Sequence, residues 1–531
     1  MEGLLDNLVG KNALVKEIHK GGRKRRLAWA YSTPFGTVHW ENGEEAEEEY
    51  LQAILLCYAS VDGCCASGKA ALLAQGLHKE ELAAYMEELF DKWMEAGAEV
   101  KKRWTLYAVS IHGGPKMVKK LQEWIWEWPQ QGRGALAAEA VQALALSPQP
   151  QALVIVDGIS RRFPYRQVKK AAGKALDLAA GKLGVCREEL EDRIVPDFGF
   201  DRKGERYFTY GERQFKALFT PSLGLEVYDR TGKRLKNMPV PGERDDAAQA
   251  QAAYEAFRQM KKQIKAIVKI QKMRLELALS CGRKWNVGAW KRLFTENPVM
   301  SQFAIGLVWG IYDEKGLAQG FRYMEDGSLH TQEEEEYNLP EDGKVGLVHP
   351  MELSAEQLEA WKRQLEGYEA RQPIEQLGRK VYTVTGKEAD APQLERFGGY
   401  IVNDLVLGGK LQEFGWRKGP VKENGCYNSY YRTDREAGVG VKLFFSGSCV
   451  GGENEDVTVH YAKFYPADRI KDGFILCREE KETPVSADRA ADFGALLLKE
   501  VPGRYFSEIA LQLAKATASS RERDEGWKDG I

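Results

Sequence analysis

The 531-residue chain is 43% apolar and 29% charged, which excludes a disordered tail and an integral membrane protein. Lys and Arg number 76 against 78 Asp and Glu, a formal charge of −2. That near-cancellation excludes a globally basic nucleic-acid binder but leaves room for a local basic face. At about 150 residues per domain the length predicts three to four domains.

Eight cysteines (Cys57, Cys64, Cys65, Cys186, Cys281, Cys426, Cys449 and Cys477) show neither CxxC nor zinc spacing, so no disulfide framework, metal site or cofactor is expected. Residues 1–20 lack the apolar core and cleavage site of a signal peptide. No stretch reaches the roughly 20 apolar residues of a membrane span. The expected compartment is the cytoplasm, with no membrane contact.

In chain order, residues 1–195 read as helices. Leu82, Tyr85, Met86, Leu89 and Trp93 make one apolar stripe over Glu80 to Trp93. Helices follow over Lys116 to Trp128, Ala135 to Ala145, Gln149 to Phe163 and Tyr165 to Leu183, with Pro148 and Pro150 punctuating them. Val168, Ala171, Ala172, Ala175, Leu176 and Ala179 form a small-residue stripe that permits close helix approach. Paired helices of this kind predict a HEAT-like α-solenoid, although no strict period is visible.

From Pro196 the pattern changes. Short strands are expected at Gly204 to Tyr210, Phe215 to Phe219 and Leu225 to Asp229, then one helix over Asp245 to Ser280 closed by Gly282. A shorter helix is expected over Asn286 to Thr295. Period two predicts strands at Phe303 to Tyr312, Gly320 to Met324 and Lys344 to Val348. Ser354 to Glu369 is a helix, with Ser354 and Gln357 as its capping box. An antiparallel meander is expected at Cys426 to Arg432, Gly438 to Phe445 and Val457 to Tyr465. Helices at Ala487 to Leu498 and Phe506 to Ala516 precede a frayed tail, Ser519 to Ile531. The fold class is therefore α+β multidomain: a helical array (1–195), a central α+β domain (196–390) and a C-terminal α+β domain with the meander (391–531).

Chemistry is sparse. Gly63-Cys64-Cys65-Ala66-Ser67-Gly68-Lys69-Ala70 has P-loop spacing, and Leu153 to Asp157 resembles the apolar strand and acid of a nucleotide site. Yet Ala70 stands where magnesium needs a hydroxyl, and both flanks fit helices. Seven histidines sit in no metal or nucleophile motif. Lys20 to Arg26 carries five basic residues, read as a solvated loop before six Glu between Glu41 and Glu49. The sharper charge feature spans Gln251 to Met300, with 11 Lys and Arg against 3 Asp and Glu, a net +8. There Lys261, Lys262, Lys265, Lys269, Lys272 and Arg274 alternate with Ile264, Ile267, Val268 and Leu275. Such a helix can lie along phosphates or an acidic protein, or be a solvated face balanced by Glu333 to Glu336.

Several spaced motifs carry a family resemblance. They are Tyr228-Asp229 through Lys233 to Leu235 and Pro239, Gly282-Arg283-Lys284-Trp285, Leu307 to Gly310, and Phe321-Arg322 with Glu325-Asp326-Gly327. Val345 to Pro350, Trp361, Gln372 to Leu377 and Arg379 complete the set, with weaker traces at Gly415-Trp416 and Phe506-Ser507-Glu508. Over about Ala135 to Ala391 these resemble the domain of unknown function in bacterial molybdate metabolism regulators (MolR-like proteins). There the domain often follows HEAT-like helices and can accompany a WGR module, which is not apparent here. The resemblance implies a regulatory, scaffold or adaptor role beside AAA+ ATPase and von Willebrand A-type partners.

On the residues themselves, Trp285, Trp309 and Trp361 read as core anchors, and Gly310 and Gly327 as turn glycines. A sharper reading has His349, Gln372, Gln376 and Arg379 converge on one ligand pocket, where Gln372 and Gln376 share a face only if a helix begins at Pro373. Arg283 and Arg379 would then suit a phosphate or carboxylate. The same residues also read as structural hydrogen bonders. The expected function is a cytoplasmic, non-catalytic regulatory or scaffold protein with a protein partner and a small anion in the central domain. Nucleic-acid binding through the basic helix 258–292 is the alternative, and an enzyme with a central pocket is the third reading.

Overall fold

The computed structural model describes residues 2–20, 23–422, 425–451, 454–476 and 494–530. It is mixed α+β, with 16 α-helices among the described residues and antiparallel sheets. The chain divides into two compact units, Met1–Pro196 and Asp197–Ile531.

Regular structure in the first unit is helical: α1 (Glu2–His19), α2 (Glu48–Ala59), α3 (Gly68–Ala74), α4 (Lys79–Glu95), α5 (Trp104–His112), α6 (Gly114–Gln130), α7 (Gly134–Leu144), α8 (Pro150–Arg162), α9 (Arg166–Lys182) and α10 (Arg187–Arg193). Uncharged runs make the centre. Ala53 to Tyr58 in α2 and Trp104 to Ser110 in α5 are wholly buried, and α5 packs on both α2 and α7. Outer helices are amphipathic, as the apolar stripe of α4 requires. In α9 the small residues Ala171, Ala172 and Ala175 are buried where it meets α7 and α8. A Cβ on Gly113 would lie 2.5 Å from the Val109 carbonyl oxygen and 2.7 Å from Met117 Cβ. Only glycine lets α5 run straight into α6.

The second unit begins with a four-stranded antiparallel meander, β1 (Glu205–Thr209), β2 (Gln214–Phe219), β3 (Leu225–Asp229) and β4 (Arg234–Leu235). Against it lies α11 (Ala247–Cys281), 35 residues without Gly or Pro. Asp246 caps its start, accepting from the Gln249 amide at 2.8 Å, and Gly282 ends it at φ 72°. Phe257, Met260, Ile264, Ile267, Ile270 and Leu275 form its buried side.

A five-stranded sheet follows in the order β5 (Lys284–Asn286), β9 (Lys344–Leu347), β6 (Val308–Asp313), β7 (Gly316–Tyr323), β8 (Leu329–His330). Helices α12 (Val287–Lys291), α13 (Pro298–Ile305) and α14 (Ala355–Gly367) accompany it. Trp285 on Phe294, and Trp290 on Trp309 and Phe321, pack edge to face in its core, with Phe294 tilted on Trp309. The strand expected from Phe303 starts only at Val308. Asn297 caps α13, accepting from the Val299 and Met300 amides at 3.0 Å with Pro298 at the first position. Residues 298–305 are buried all round, so periodicity could not separate helix from strand there. Gly310 is likewise no turn residue. It sits inside β6, where a Cβ would meet Leu317 Cδ1 at 2.3 Å.

The third sheet runs β10 (Ile401–Asn403), β14 (Asp456–Pro466), β13 (Val439–Cys449), β12 (Cys426–Asp434), β11 (Arg417–Lys418), and contains the expected meander. A short hairpin, β15 (Ile470–Lys471) and β16 (Phe474–Ile475), follows. Helices α15 (Asp404–Glu413) and α16 (Gly503–Thr517) pack on each other. The helix expected over 487–498 lies mostly outside the described residues; 494–497 are not helical, and Leu498–Glu500 form a 3-10 turn.

The tail expected to fray is docked instead. Trp527 is 8% exposed, stacks on His460 with ring centroids 6.0 Å apart and packs on Gly398 and Gly399. Arg523 pairs in a β-bridge with Tyr400, and Lys528 Nζ reaches Glu395 at 2.5 Å. Its charge suggested fraying, while a single tryptophan anchors it. Trp527→Ala is expected to cost about 3 kcal/mol. It should also open residues 519–530 to protease, read by limited proteolysis and mass spectrometry.

Candidate functional site

Glu508, on α16, is the centre of a buried polar cluster in the second unit. Its Oε1 lies 3.0 Å from His349 Nε2 and its Oε2 2.5 Å from Arg379 Nη1. Arg379 Nη2 reaches Glu276 Oε2 on α11 at 2.9 Å, and its Nε donates to the Glu375 carbonyl at 2.6 Å. His349, Arg379 and Glu508 are at most 4% exposed. The local sequence explains their placement. His349 ends the β9 segment and caps the Pro350–Glu352 turn, accepting from the Met351 amide at Nδ1, 3.2 Å away. That bond leaves the ring proton on Nε2, directed at Glu508.

Burial lowers the His349 pKa, an effect its bond to Glu508 only partly offsets, so the ring is neutral. Burial alone would raise Glu508. The His349 hydrogen bond and the Arg379 charge outweigh it and hold the carboxyl below its usual range. Burial raises Glu276 despite Arg379.

Gln376, fully buried, completes a strand edge with its amide. Nε2 donates to the Val308 and Val348 carbonyls at 2.6 and 2.9 Å, and Oε1 accepts from the Val308 amide at 2.9 Å. Gln372 Nε2 donates to the same Oε1 at 3.1 Å. The two glutamines meet although no helix begins at Pro373; residues 371–380 are irregular. Arg283 has other partners, Glu436 Oε1 at 3.3 Å and the Trp285 ring at 5.0 Å. Of the sequence-selected residues, therefore, His349 and Arg379 share one carboxylate, Gln372 and Gln376 share a bond beside it, and Arg283 is held by Glu436.

Sequence reasoning missed the acids that organise this cluster and a neighbouring network. Arg432 binds Asp434 at 2.7 Å and Ser280 Oγ at 3.2 Å, Tyr505 donates to Asp434 at 2.5 Å, and Gln512 accepts from Trp416 Nε1 at 2.8 Å. The usable signal was α16 itself. Tyr505, Glu508 and Gln512 recur on one face of a helix that is otherwise apolar there, which marks a buried polar seam.

The P-loop-like segment has no strand before it. It follows α2, Ser67 caps α3 by accepting from the Ala70 amide at 3.3 Å, and Lys69 pairs with Glu17 at 3.1 Å. Leu153 to Asp157 lies within α8, where Asp157 binds Arg161 Nε at 3.1 Å. Among the described residues no cluster of three or more His, Cys, Asp or Glu is placed to hold a metal. No described helix is long and apolar enough to cross a membrane. A shallow groove of about 370 Å³ lies between Thr383 to Gly386, Leu498, Lys499 and Val501, lined mainly by apolar atoms. On α11, Lys262, Lys265, Lys269 and Lys272 are exposed, Lys261 is half-buried and bonded to Asn237 at 3.3 Å, and Arg274 is half-buried.

Residues 232–416 match the family model described as a domain of unknown function (DUF4132). The match takes in α11, the Trp-rich sheet, His349, Gln376 and Arg379, and stops at Trp416, so Glu508 lies beyond it. Over 343 residues the chain is 31% identical to the uncharacterized protein YehI of Escherichia coli (strain K12). That alignment covers 64% of this chain and 28% of the relative, so the chain spans under a third of that protein's length. No solved structure matches.

Proposed function

We propose that the protein is a non-catalytic, cytoplasmic scaffold or regulatory protein. In this reading the consecutive helices of the first unit form a HEAT-like array for a protein partner, and the second unit is a rigid platform. The observation that supports it is the bonding of the central cluster. Both His349 nitrogens, both Glu508 oxygens and each nitrogen position of Arg379 are committed to the chain's own groups. The cluster's histidine, its central acid and its arginine fork are thus turned to one another rather than to a substrate. The regulatory role, and an AAA+ ATPase or von Willebrand A-type partner, come from the resemblance to molybdate metabolism regulators.

The expected outcome is that ATP, phosphate and molybdate leave the melting temperature of the full chain unchanged. Co-elution with an AAA+ ATPase or von Willebrand A-type protein of the same cell is expected on size-exclusion chromatography. A melting shift with any of these anions that disappears in Arg379→Ala would establish a ligand site and overturn the scaffold reading.

A further inference from the structure

On α11, Arg258, Lys262, Lys265, Lys269 and Lys272 are all exposed and follow a 4-3-4-3 spacing. At 3.6 residues per turn they fall within an arc of about 80° and a length of about 21 Å. The four lysines make no hydrogen bond or ion pair among the described residues, and Arg258 touches only the Tyr254 ring at 5.8 Å. Two acids lie on or beside the arc, exposed Glu255 and half-buried Glu276. Glu255 accepts from Gln251 at 2.7 Å, and Glu276 is turned to Arg379. A row of unpaired like charges on one rigid helix costs repulsion energy, which an anionic partner relieves.

We infer that this row is a binding surface for the phosphate backbone of nucleic acid, without sequence preference. This goes beyond the scaffold reading and does not depend on it. Three partners can satisfy cations, and the surroundings of the row distinguish them. A membrane surface requires the apolar side of an amphipathic helix to enter the bilayer, but that side of α11 is buried within its own unit. A groove-binding protein partner requires exposed apolar anchors, whereas the exposed residues beside the row are Glu255, Gln259 and Ala266. A straight row of cations without large exposed apolar side chains beside it fits a regular line of phosphates. Over about 21 Å a duplex offers about six phosphates on each strand.

The test is fluorescence anisotropy of the full chain with a labelled random-sequence DNA duplex, titrated with salt. Five contacts predict a slope of log K against log salt of about −4.5, a loss of about 500-fold between about 50 and 200 mM. Lys262→Gln/Lys265→Gln/Lys269→Gln/Lys272→Gln leaves one cation of the row and should flatten the slope to about −1. All four positions are exposed, so its melting temperature should match that of the parent. A control with the same charge change on the first unit, Lys116→Gln/Lys119→Gln/Lys170→Gln/Lys174→Gln, should bind like the parent. The inference is overturned by absence of duplex binding at low salt or by an unchanged slope in the row variant. It is equally overturned if polyglutamate of equal charge binds through the same lysines more tightly than DNA, since the partner is then an acidic protein.

Discussion

Arg379→Leu is expected to destabilise the second unit by about 3–5 kcal/mol, seen as a lower urea midpoint at unchanged slope. The substitution leaves Glu508 and Glu276 in the interior without their shared cation. Replacing Arg379 and Glu508 together by apolar residues should cost less, because no uncompensated charge remains, and a double-mutant cycle measures the coupling. The dependence on pH follows from the same groups. His349 is depressed below its usual value, so its contribution is complete above about pH 6.5 and is lost as pH falls toward the folded value. Glu508 is also depressed, so its contribution is present above the carboxylate range and is lost as pH falls through its folded value. Glu276 is raised and acts oppositely, its contribution being lost as pH rises through its folded value. Stability should therefore begin to fall below about pH 6.5, where His349, like the depressed His112 and His460, responds before the two carboxyls. In Arg379→Leu the acid-unfolding midpoint should move upward, as Glu508 loses the charge that keeps it ionised.

Gln376→Leu is expected to cost about 4 kcal/mol although it keeps the side-chain volume nearly constant. Leucine can neither donate to the Val348 carbonyl nor accept from the Val308 amide, both at the buried sheet edge, while the Val308 carbonyl keeps the Val348 amide at 3.2 Å. Each unsatisfied buried group costs about 1–3 kcal/mol. Gln376→Glu is the sharper companion, since it keeps the acceptor but turns a donor into a buried charge facing carbonyls. Hydrogen exchange at the Val308 amide reads both variants directly. If Gln376 were a ligand contact instead, Gln376→Leu would leave the urea midpoint in place.

These two predictions show why the candidate residues were visible but their role was not. Polar, spaced and set among tryptophans and prolines, His349, Gln376 and Arg379 stand out as a site. Their partners decide what that site does, and these lie far along the chain: Glu508 is 159 residues from His349 and 129 from Arg379. Arg379 also bonds Glu276, 103 residues away. No local pattern announces such pairs. In the sequence Phe506-Ser507-Glu508 carries only a weak trace of the family resemblance, and its glutamate proves to be the hub.

Elsewhere the legible elements are those whose causes are local. The long helix α11 could be read from 35 residues without a breaker, an aspartate at its start and a glycine at its end. The capping box of Ser354 and Gln357 is present as expected, and so are the strands of the C-terminal meander. Local reading failed where burial removed the periodic signal, as at 298–305, and where one distant contact overrode composition, as at Trp527. The exposed row on α11 belongs to both classes. Spacing alone marked a basic helix, but only the packed structure distinguished the exposed lysines from bonded Lys261 and half-buried Arg274.

The sequence by itself thus determined the breaker-free helix α11, the Ser354 capping box, the C-terminal meander and the near-cancelled charge with its basic block, because each depends on neighbours within a few turns of chain. The tertiary structure decided which polar residues are closed on one another and which face solvent, because burial and ion pairing depend on contacts between segments more than a hundred residues apart.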